Sequence, residues 1–104
     1  MATVLIKYKT DVKFTHEQVL KIMEQSANET FRGMPHLLSK QFCFDIETGE
    51  GLSVYLWESR AHAEAYFTPE WKVYFEKKFG AVPHLEYYET LITLDNRTDD
   101  ILYG

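Results

Sequence analysis

The chain contains 104 residues, which is the usual size of one domain with a single hydrophobic core. Its formal net charge is −5, and this excess of carboxylates would repel a phosphate backbone, so we expect no nucleic-acid partner. The sequence has no apolar run of about 18 residues and no signal-peptide pattern, so we expect no membrane partner and a cytoplasmic location.

The first third of the chain predicts a strand and then a helix. Residues 2–9 alternate in the manner of a strand, with Val4 and Ile6 on one face and Lys7 on the other. Thr15, followed three residues later by Gln18, has the pattern of a capping box and predicts the start of a helix. The helix is expected to end by Arg32-Gly33, because glycine accepts the left-handed backbone that closes a helix.

The rest of the chain predicts a hairpin, two short helices and a last strand. Residues 37–44 and 52–58 alternate on either side of a turn at 47–51 and predict antiparallel neighbours. Ser59 and Thr68 are placed to cap helices near 60–67 and 69–79. The last strand is predicted over 84–95.

This order of elements is typical of the split βαβ unit of the ferredoxin-like α+β fold, with a four-stranded antiparallel sheet. We expect one such domain over residues 1–96 and a tail over 97–104 that frays or drapes over a partner. Several strands carry large apolar side chains on both faces, whereas helices cover only one face of such a sheet. We therefore expect a homodimer that buries sheet against sheet.

Aromatic side chains are the main candidates for a binding site. The chain has 16 of them, and an apolar pocket for a flat molecule could use both their rings and their polar groups. Tyr55 and Trp57 share one face of a strand because alternate residues point together. If this face meets the helices, they can form a cleft with Trp71 and Tyr74; if it meets a partner subunit, they belong to a dimer core. Core packing is the competing explanation for all of these rings.

The titratable candidates are fewer. His36 follows Pro35 in a loop, where an imidazole can reach a cleft and accept a proton near neutral pH; an exposed loop histidine is the alternative. Arg32 could hold a carbonyl or anionic oxygen of a ligand, or pair with a nearby carboxylate or a helix-terminal carbonyl. No two histidines have the i, i+4 spacing of a helical metal site, so we expect no metal.

The stretch from Tyr55 to Trp71 also resembles a known family. Strand residues 55–58, the Ser59 cap, residues 65–67 and the Thr68-Pro69 cap occur here in the order seen in the YdhR-like monooxygenases. Residues 80–83 and 86–89 extend the similarity. These proteins are related to the antibiotic biosynthesis monooxygenases of the dimeric α+β barrel superfamily, so the resemblance implies a dimeric α+β barrel.

The resemblance further implies a monooxygenase that uses no flavin, haem or metal and acts on a small aromatic or polyketide-like phenol. It suggests a phenol that loses its proton and then passes electrons to oxygen in a dry pocket. Residue chemistry then favours His36 as the base, Tyr55 and Tyr74 as hydrogen-bond donors, and a substrate-binding set of Arg32, Trp57, Tyr66 and Trp71. A polyketide-type cyclase or isomerase, and a non-catalytic stress protein that binds a small hydrophobic ligand, are the alternatives because one fold serves many functions.

Overall fold

The sheet is built around its first strand. A computed structural model describes all 104 residues, and in it β1 (Ala2–Lys9) pairs antiparallel with two other strands. Ala2 lies opposite Trp57 of β3 (Glu50–Trp57) on one side and opposite Glu89 of β4 (His84–Glu89) on the other. The central position of β1 explains why Val4 and Ile6 are completely buried.

The predicted hairpin is confirmed and supplies an edge of the sheet. β2 (Leu37–Phe44) pairs antiparallel with β3, and the order across the sheet is β2-β3-β1-β4. Asp45 accepts backbone hydrogen bonds through its side chain from Glu47 and Thr48, which stabilises the turn. This topology confirms the predicted ferredoxin-like α+β fold.

Three helices cover one face of the sheet, and each begins at a side-chain cap. Helix α1 (His16–Ser26) begins with the predicted capping box of Thr15 and Gln18. Helices α2 (Arg60–Tyr66) and α3 (Pro69–Phe79) begin at Ser59 and Thr68, whose hydroxyls accept backbone N–H groups. A left-handed Gly80 ends α3.

Helix α1 ends in a wider turn that the sequence did not predict. Residues Ala27–Phe31 form one π-helical turn, in which Arg32 N–H donates to the carbonyl of Ala27 at 2.7 Å. Such a turn adds one residue to the helical repeat and is frequent at functional sites. It changes the direction in which Phe31 points relative to an uninterrupted α-helix.

The core lies between the helices and the sheet. Val4, Ile6, Tyr55 and Trp57 project from the central strands and pack against Ala63 and other residues of the helix layer. The shared face of Tyr55 and Trp57 therefore meets the helices and not a partner subunit.

The continuous strand predicted over 84–95 is interrupted at Thr90 and Leu91. β1 begins at Ala2, directly opposite Glu89, and only one further backbone hydrogen bond follows, from Thr90 N–H to the Met1 carbonyl at 2.9 Å. The chain instead turns and forms a separate hairpin of β5 (Ile92–Asp95) and β6 (Asp100–Tyr103). Residues 100–103 of the predicted tail are thus paired in a strand.

The opposite face of the sheet carries no helix. Leu5 and Val54 lie opposite one another there and remain partly exposed, as does Leu56. The β5–β6 hairpin adds further exposed apolar side chains, including Leu94 and Tyr103. None of the three helices has both the length and the apolar character needed to cross a membrane.

Candidate functional site

A cleft opens between the helix layer and the edge of the sheet formed by β2 and β3. Its cavity volume is about 60 Å³, which is below the roughly 300–1,000 Å³ of most small-ligand sites, so a ligand can enter only if side chains at the mouth move. Eleven of its 16 lining residues are hydrophobic. The aromatic rings among them come from both the sheet and the helix layer: Tyr8, Phe31, Phe42, Tyr55, Tyr66, Trp71, Tyr74, Phe75 and Phe79. We call this space the aromatic cleft.

Edge-to-face contacts hold the inner wall of the aromatic cleft. The ring of Phe31 meets those of Phe42, Tyr55 and Tyr66 with centroids 5.8–6.1 Å apart and planes inclined by 63–67°. Rings prefer this arrangement because the positive edge of one meets the negative face of another. Phe31 therefore joins the π-helical turn to both β-strands and to α2.

Four of the predicted site residues line the aromatic cleft. Tyr55 is 2% exposed and forms the floor, whereas Tyr74 is 59% exposed and lies at the mouth. Tyr66 and Trp71 lie between these extremes and are partly buried. The structure thus brings together a floor, walls and a rim that sequence spacing suggested.

Burial controls the ionisation of the phenols in the aromatic cleft. It raises the pKa of Tyr66 and raises that of Tyr55 more strongly, with the neighbouring Tyr66 as a further cause for Tyr55. Burial also raises the pKa of Tyr8 to about 12. These hydroxyls therefore remain protonated at neutral pH and can donate hydrogen bonds to a ligand oxygen.

Lys40 is a residue of the aromatic cleft that sequence reasoning missed. Its Nζ lies 3.7 Å from the ring centroid of Phe31, 3.9 Å from that of Phe42 and 4.6 Å from that of Tyr55. Burial, followed by the nearby charge of Lys78, lowers the pKa of Lys40 to about 7. The sequence did carry a signal, because Lys40 interrupts the apolar face of a strand that continues as Phe42 and Phe44.

Trp57 was predicted to line the site but belongs to the core. It is 2% exposed, stacks on Tyr55 at 6.2 Å and contacts the edge of Phe67. Its indole Nε1 is buried without a hydrogen-bond partner. Trp57 does not line the aromatic cleft, and its ring packs beside that of Tyr55, which forms the floor.

Arg32 also lies outside the aromatic cleft. Its guanidinium donates two hydrogen bonds to Asn28 Oδ1, at 3.0 and 2.7 Å, across the π-helical turn. Both side chains are exposed. The contact is structural, but its acceptor is a side-chain amide oxygen and not the carboxylate or helix-terminal carbonyl expected from the sequence.

His36 belongs to a polar cluster outside the aromatic cleft, at the end of the β2–β3 hairpin away from its turn. Its Nδ1 is 2.9 Å from Glu58 Oε2, and its ring stacks on that of His62 with centroids 3.7 Å apart. Ser59 Oγ lies 2.7 Å from His62 Nδ1, and the His36 carbonyl accepts the Glu58 N–H. His36 has a φ of +70°, a left-handed conformation that is uncommon outside glycine. This group does not line the aromatic cleft.

His36, Glu58 and His62 bring three possible metal-ligand atoms within 4.8 Å of one another. The two imidazole planes are nearly parallel, inclined by 15° with centroids 3.7 Å apart, so one ion cannot lie in the plane of both rings. The observed contacts are instead those of a hydrogen-bonded link between the start of β2, the end of β3 and α2.

Comparison with known proteins yields a likeness in fold. No protein-family model matches the chain, and no curated protein sequence matches it either. Among solved structures, the chain is similar to the crystal structure of a putative antibiotic biosynthesis monooxygenase from Deinococcus radiodurans. The two superpose with a TM-score of 0.60 and 12% sequence identity, over 86% of this chain and 92% of that one. At this identity the likeness shows that the two proteins share the ferredoxin-like α+β fold.

Proposed function

We propose that the protein is a cofactor-independent monooxygenase that oxidises a small phenol in the aromatic cleft. The observation that supports this most is a cleft walled by aromatic rings with protonated tyrosine hydroxyls, in a fold shared with a putative antibiotic biosynthesis monooxygenase. Aromatic walls suit a flat substrate, and a few hydroxyls suffice to orient its oxygen.

The proposed reaction needs no reductant beyond the substrate. A phenol and one O₂ give a quinone and one water, so the substrate loses four electrons and oxygen gains four. The phenol first transfers its proton to a base, and the resulting electron-rich anion then passes electrons to oxygen. Exclusion of water from the cleft would protect the intermediates.

Each cleft residue has a role in this proposal. Tyr55 on the floor and Tyr74 at the mouth donate hydrogen bonds to substrate oxygens, whereas Tyr66 and Trp71 hold the ring plane. His36 as the base, and Arg32 and Trp57 as substrate contacts, stay predictions from the sequence. All three lie outside the aromatic cleft. Because His36 is not in the lining, another group is favoured as the proton acceptor.

We also propose that the protein acts as a homodimer. The face of the sheet without helices carries partly exposed aliphatic side chains on β1 and β3, among them Leu5 and Val54. The β5–β6 hairpin presents Ile92 and Leu94, which are 56% and 60% exposed. A second copy of the chain would remove these side chains from water.

Oxygen consumption tests the proposed activity. We would add naphthols to the purified protein and follow oxygen with an electrode and quinone by absorbance. The proposal predicts one quinone for each O₂ and no product under nitrogen. Tyr55→Phe and Tyr74→Phe should each lower kcat/KM about tenfold or more, because each removes a donor to the substrate oxygen.

Tyr103→Phe is the matched control, since this exposed hydroxyl lies on the β5–β6 hairpin and outside the aromatic cleft. Its kcat/KM should equal that of the unmodified protein. Product formed without oxygen would replace the oxygenase with a cyclase or isomerase. Saturable binding without any turnover would make the protein a ligand-binding module.

A further inference from the structure

We propose that Lys40 is the proton acceptor of the aromatic cleft, and that the cleft consequently selects acidic phenols and binds them as anions. The inference rests on the proposed function for the fate of the anion, but the proton transfer itself requires neither oxygen nor turnover. The base is then a residue of the edge strand β2 and not one of the histidines.

The position of Lys40 is unusual for a charged side chain. It lies on β2 directly opposite Tyr55, and the next residues on the same face are Phe42 and Phe44. This is the face that the helices cover. A lysine in such a place loses most of its hydration, yet its side chain still lines the cleft.

The surroundings of the Lys40 ammonium contain no carboxylate. None of the five ion pairs in the structure includes Lys40, and no acidic residue lines the aromatic cleft. Its nearest neighbours are the faces of three aromatic rings, which attract a cation only weakly compared with a carboxylate. The ammonium form therefore lacks a strong anionic partner until a ligand supplies one.

The charge of the cleft is opposite to that of the chain. Lys40 and Lys78 are the only charged side chains in its lining, although the chain as a whole carries −5. The remaining titratable groups that face Lys40 are phenols that stay protonated or lie at the mouth: Tyr8, Tyr55, Tyr66 and Tyr74. An anionic oxygen would thus be the complementary ligand.

The proton balance of the step is simple. The phenol O–H bond breaks, its proton forms a bond to the free amine of Lys40, and no electron moves. The products are an ammonium and a phenolate in contact, whose mutual attraction is stronger in a dry site than in water and offsets part of the cost of removing both ions from water. The lowered pKa of Lys40, about 7, places the free amine within reach at neutral pH.

A purely structural role for Lys40 makes a different prediction. Edge strands often carry an inward-pointing charge that prevents pairing with another sheet, and β2 is an edge strand. In that case Lys40 would protect against aggregation but would not exchange a proton with a ligand. Proton uptake on binding separates the two roles.

The experiment uses 4-nitrophenol, whose electron-poor anion is coloured and is a poor substrate for oxidation. At about pH 8, one unit above the pKa of Lys40, the probe is mainly anionic and Lys40 mainly neutral. Binding should then draw about one proton per ligand from a weakly buffered solution as the Lys40 ammonium forms. Calorimetry in two buffers of different ionisation enthalpy measures the same proton.

Three variants make the result specific. Lys40→Met should bind the anion about tenfold more weakly or worse, with no proton uptake. Lys40→Arg is always charged, so it should keep the affinity but take up no proton. Lys77→Met, an exposed substitution on α3 outside the cleft lining, should take up the proton as the unmodified protein does.

Equal proton uptake by Lys40→Arg and the unmodified protein would overturn the inference, as would the absence of nitrophenolate binding. Proton uptake that depends on Lys40, together with no oxygen consumption on any phenol, would uphold the inference and reject the proposed oxygenase. The two failures are therefore distinguishable.

Discussion

Lys40 and Trp57 show how single residues on one sheet face depart from the pattern around them. Lys40 places an ammonium where neighbouring positions are apolar, and Trp57 buries an indole N–H without a partner. An unpaired buried donor costs about 1–3 kcal/mol of stability, so such groups persist where packing or function compensates. For Trp57 the compensation is its large buried ring in the core; for Lys40 it is the chemistry of the aromatic cleft.

The lowered pKa of Lys40 has a consequence for stability that can be measured. The pKa is about 7 in the folded chain and 10.5 as the ordinary value, so between these limits the unfolded chain binds more protons. Stability attributable to this group therefore rises as pH rises from about 7 towards 10.5, and burial of Lys40 is least favourable below about pH 7.

We predict that Lys40→Met is more stable than the unmodified protein by about 2–4 kcal/mol at about pH 6, after allowance for attraction to three ring faces. The difference should shrink towards zero at about pH 10. Urea unfolding of both proteins at the two pH values measures it, and comparison within the pair removes the effect of every other titrating group. A difference that is the same at both pH values would mean that the Lys40 pKa is not lowered.

At the scale of elements, local signals were readable from the sequence and non-local ones were not. The caps Thr15, Ser59 and Thr68 were predicted correctly because each bonds a backbone group only three residues away. The end of β4 was missed because it depends on where a distant strand, β1, begins. Alternating apolar residues continue past Glu89, and no local pattern marks the loss of the partner.

The aromatic cleft shows the same division. Tyr55, Tyr66, Trp71 and Tyr74 were predicted together from strand alternation and helical spacing. Lys40 was overlooked because its importance arises only when Phe31 is brought over it from the end of α1. That contact depends on the π-helical turn, for which the sequence has no recognised pattern.

The π-helical turn supplies the element-scale prediction. It already absorbs one extra residue between α1 and Phe31, so a second inserted residue should rotate Phe31 by about 100°. We predict that insertion of one alanine after the exposed Glu29 leaves the protein folded but weakens nitrophenolate binding at least about tenfold, because Lys40 and Tyr55 lose their shared neighbour.

Glu29→Ala is the matched control, because it places an alanine in the same turn without changing the number of residues. Its affinity for nitrophenolate should equal that of the unmodified protein, and circular dichroism should show all three proteins folded. Unchanged binding by the insertion variant would show that the helical repeat does not set the position of Phe31 in the cleft.

At the scale of the whole molecule, the two faces of the sheet have different environments. The helix-facing side is covered and contains the core and the aromatic cleft. The other side has aliphatic residues at its centre, where Leu5 of β1 meets Val54 of β3. If this face met only water, its aliphatic side chains would stay exposed. The arrangement therefore favours a second copy of the chain packed against this face.

A charge at the centre of that face tests the homodimer. We predict a dimer at micromolar concentration and a monomer for Val54→Asp, because association would bury an unpaired carboxylate among aliphatic side chains. Lys72→Glu, an exposed substitution on α3 and thus on the helix side, should remain dimeric. Light scattering coupled to gel filtration gives the mass of each protein, and circular dichroism confirms that Val54→Asp folds.

A monomeric mass for the unmodified protein would reject the dimer. A folded dimer of Val54→Asp would instead move the interface to the β5–β6 hairpin, where Leu94→Asp repeats the test. Because the aromatic cleft lies on the helix side of each subunit, a folded Val54→Asp monomer should still bind nitrophenolate, and this outcome would separate assembly from ligand binding.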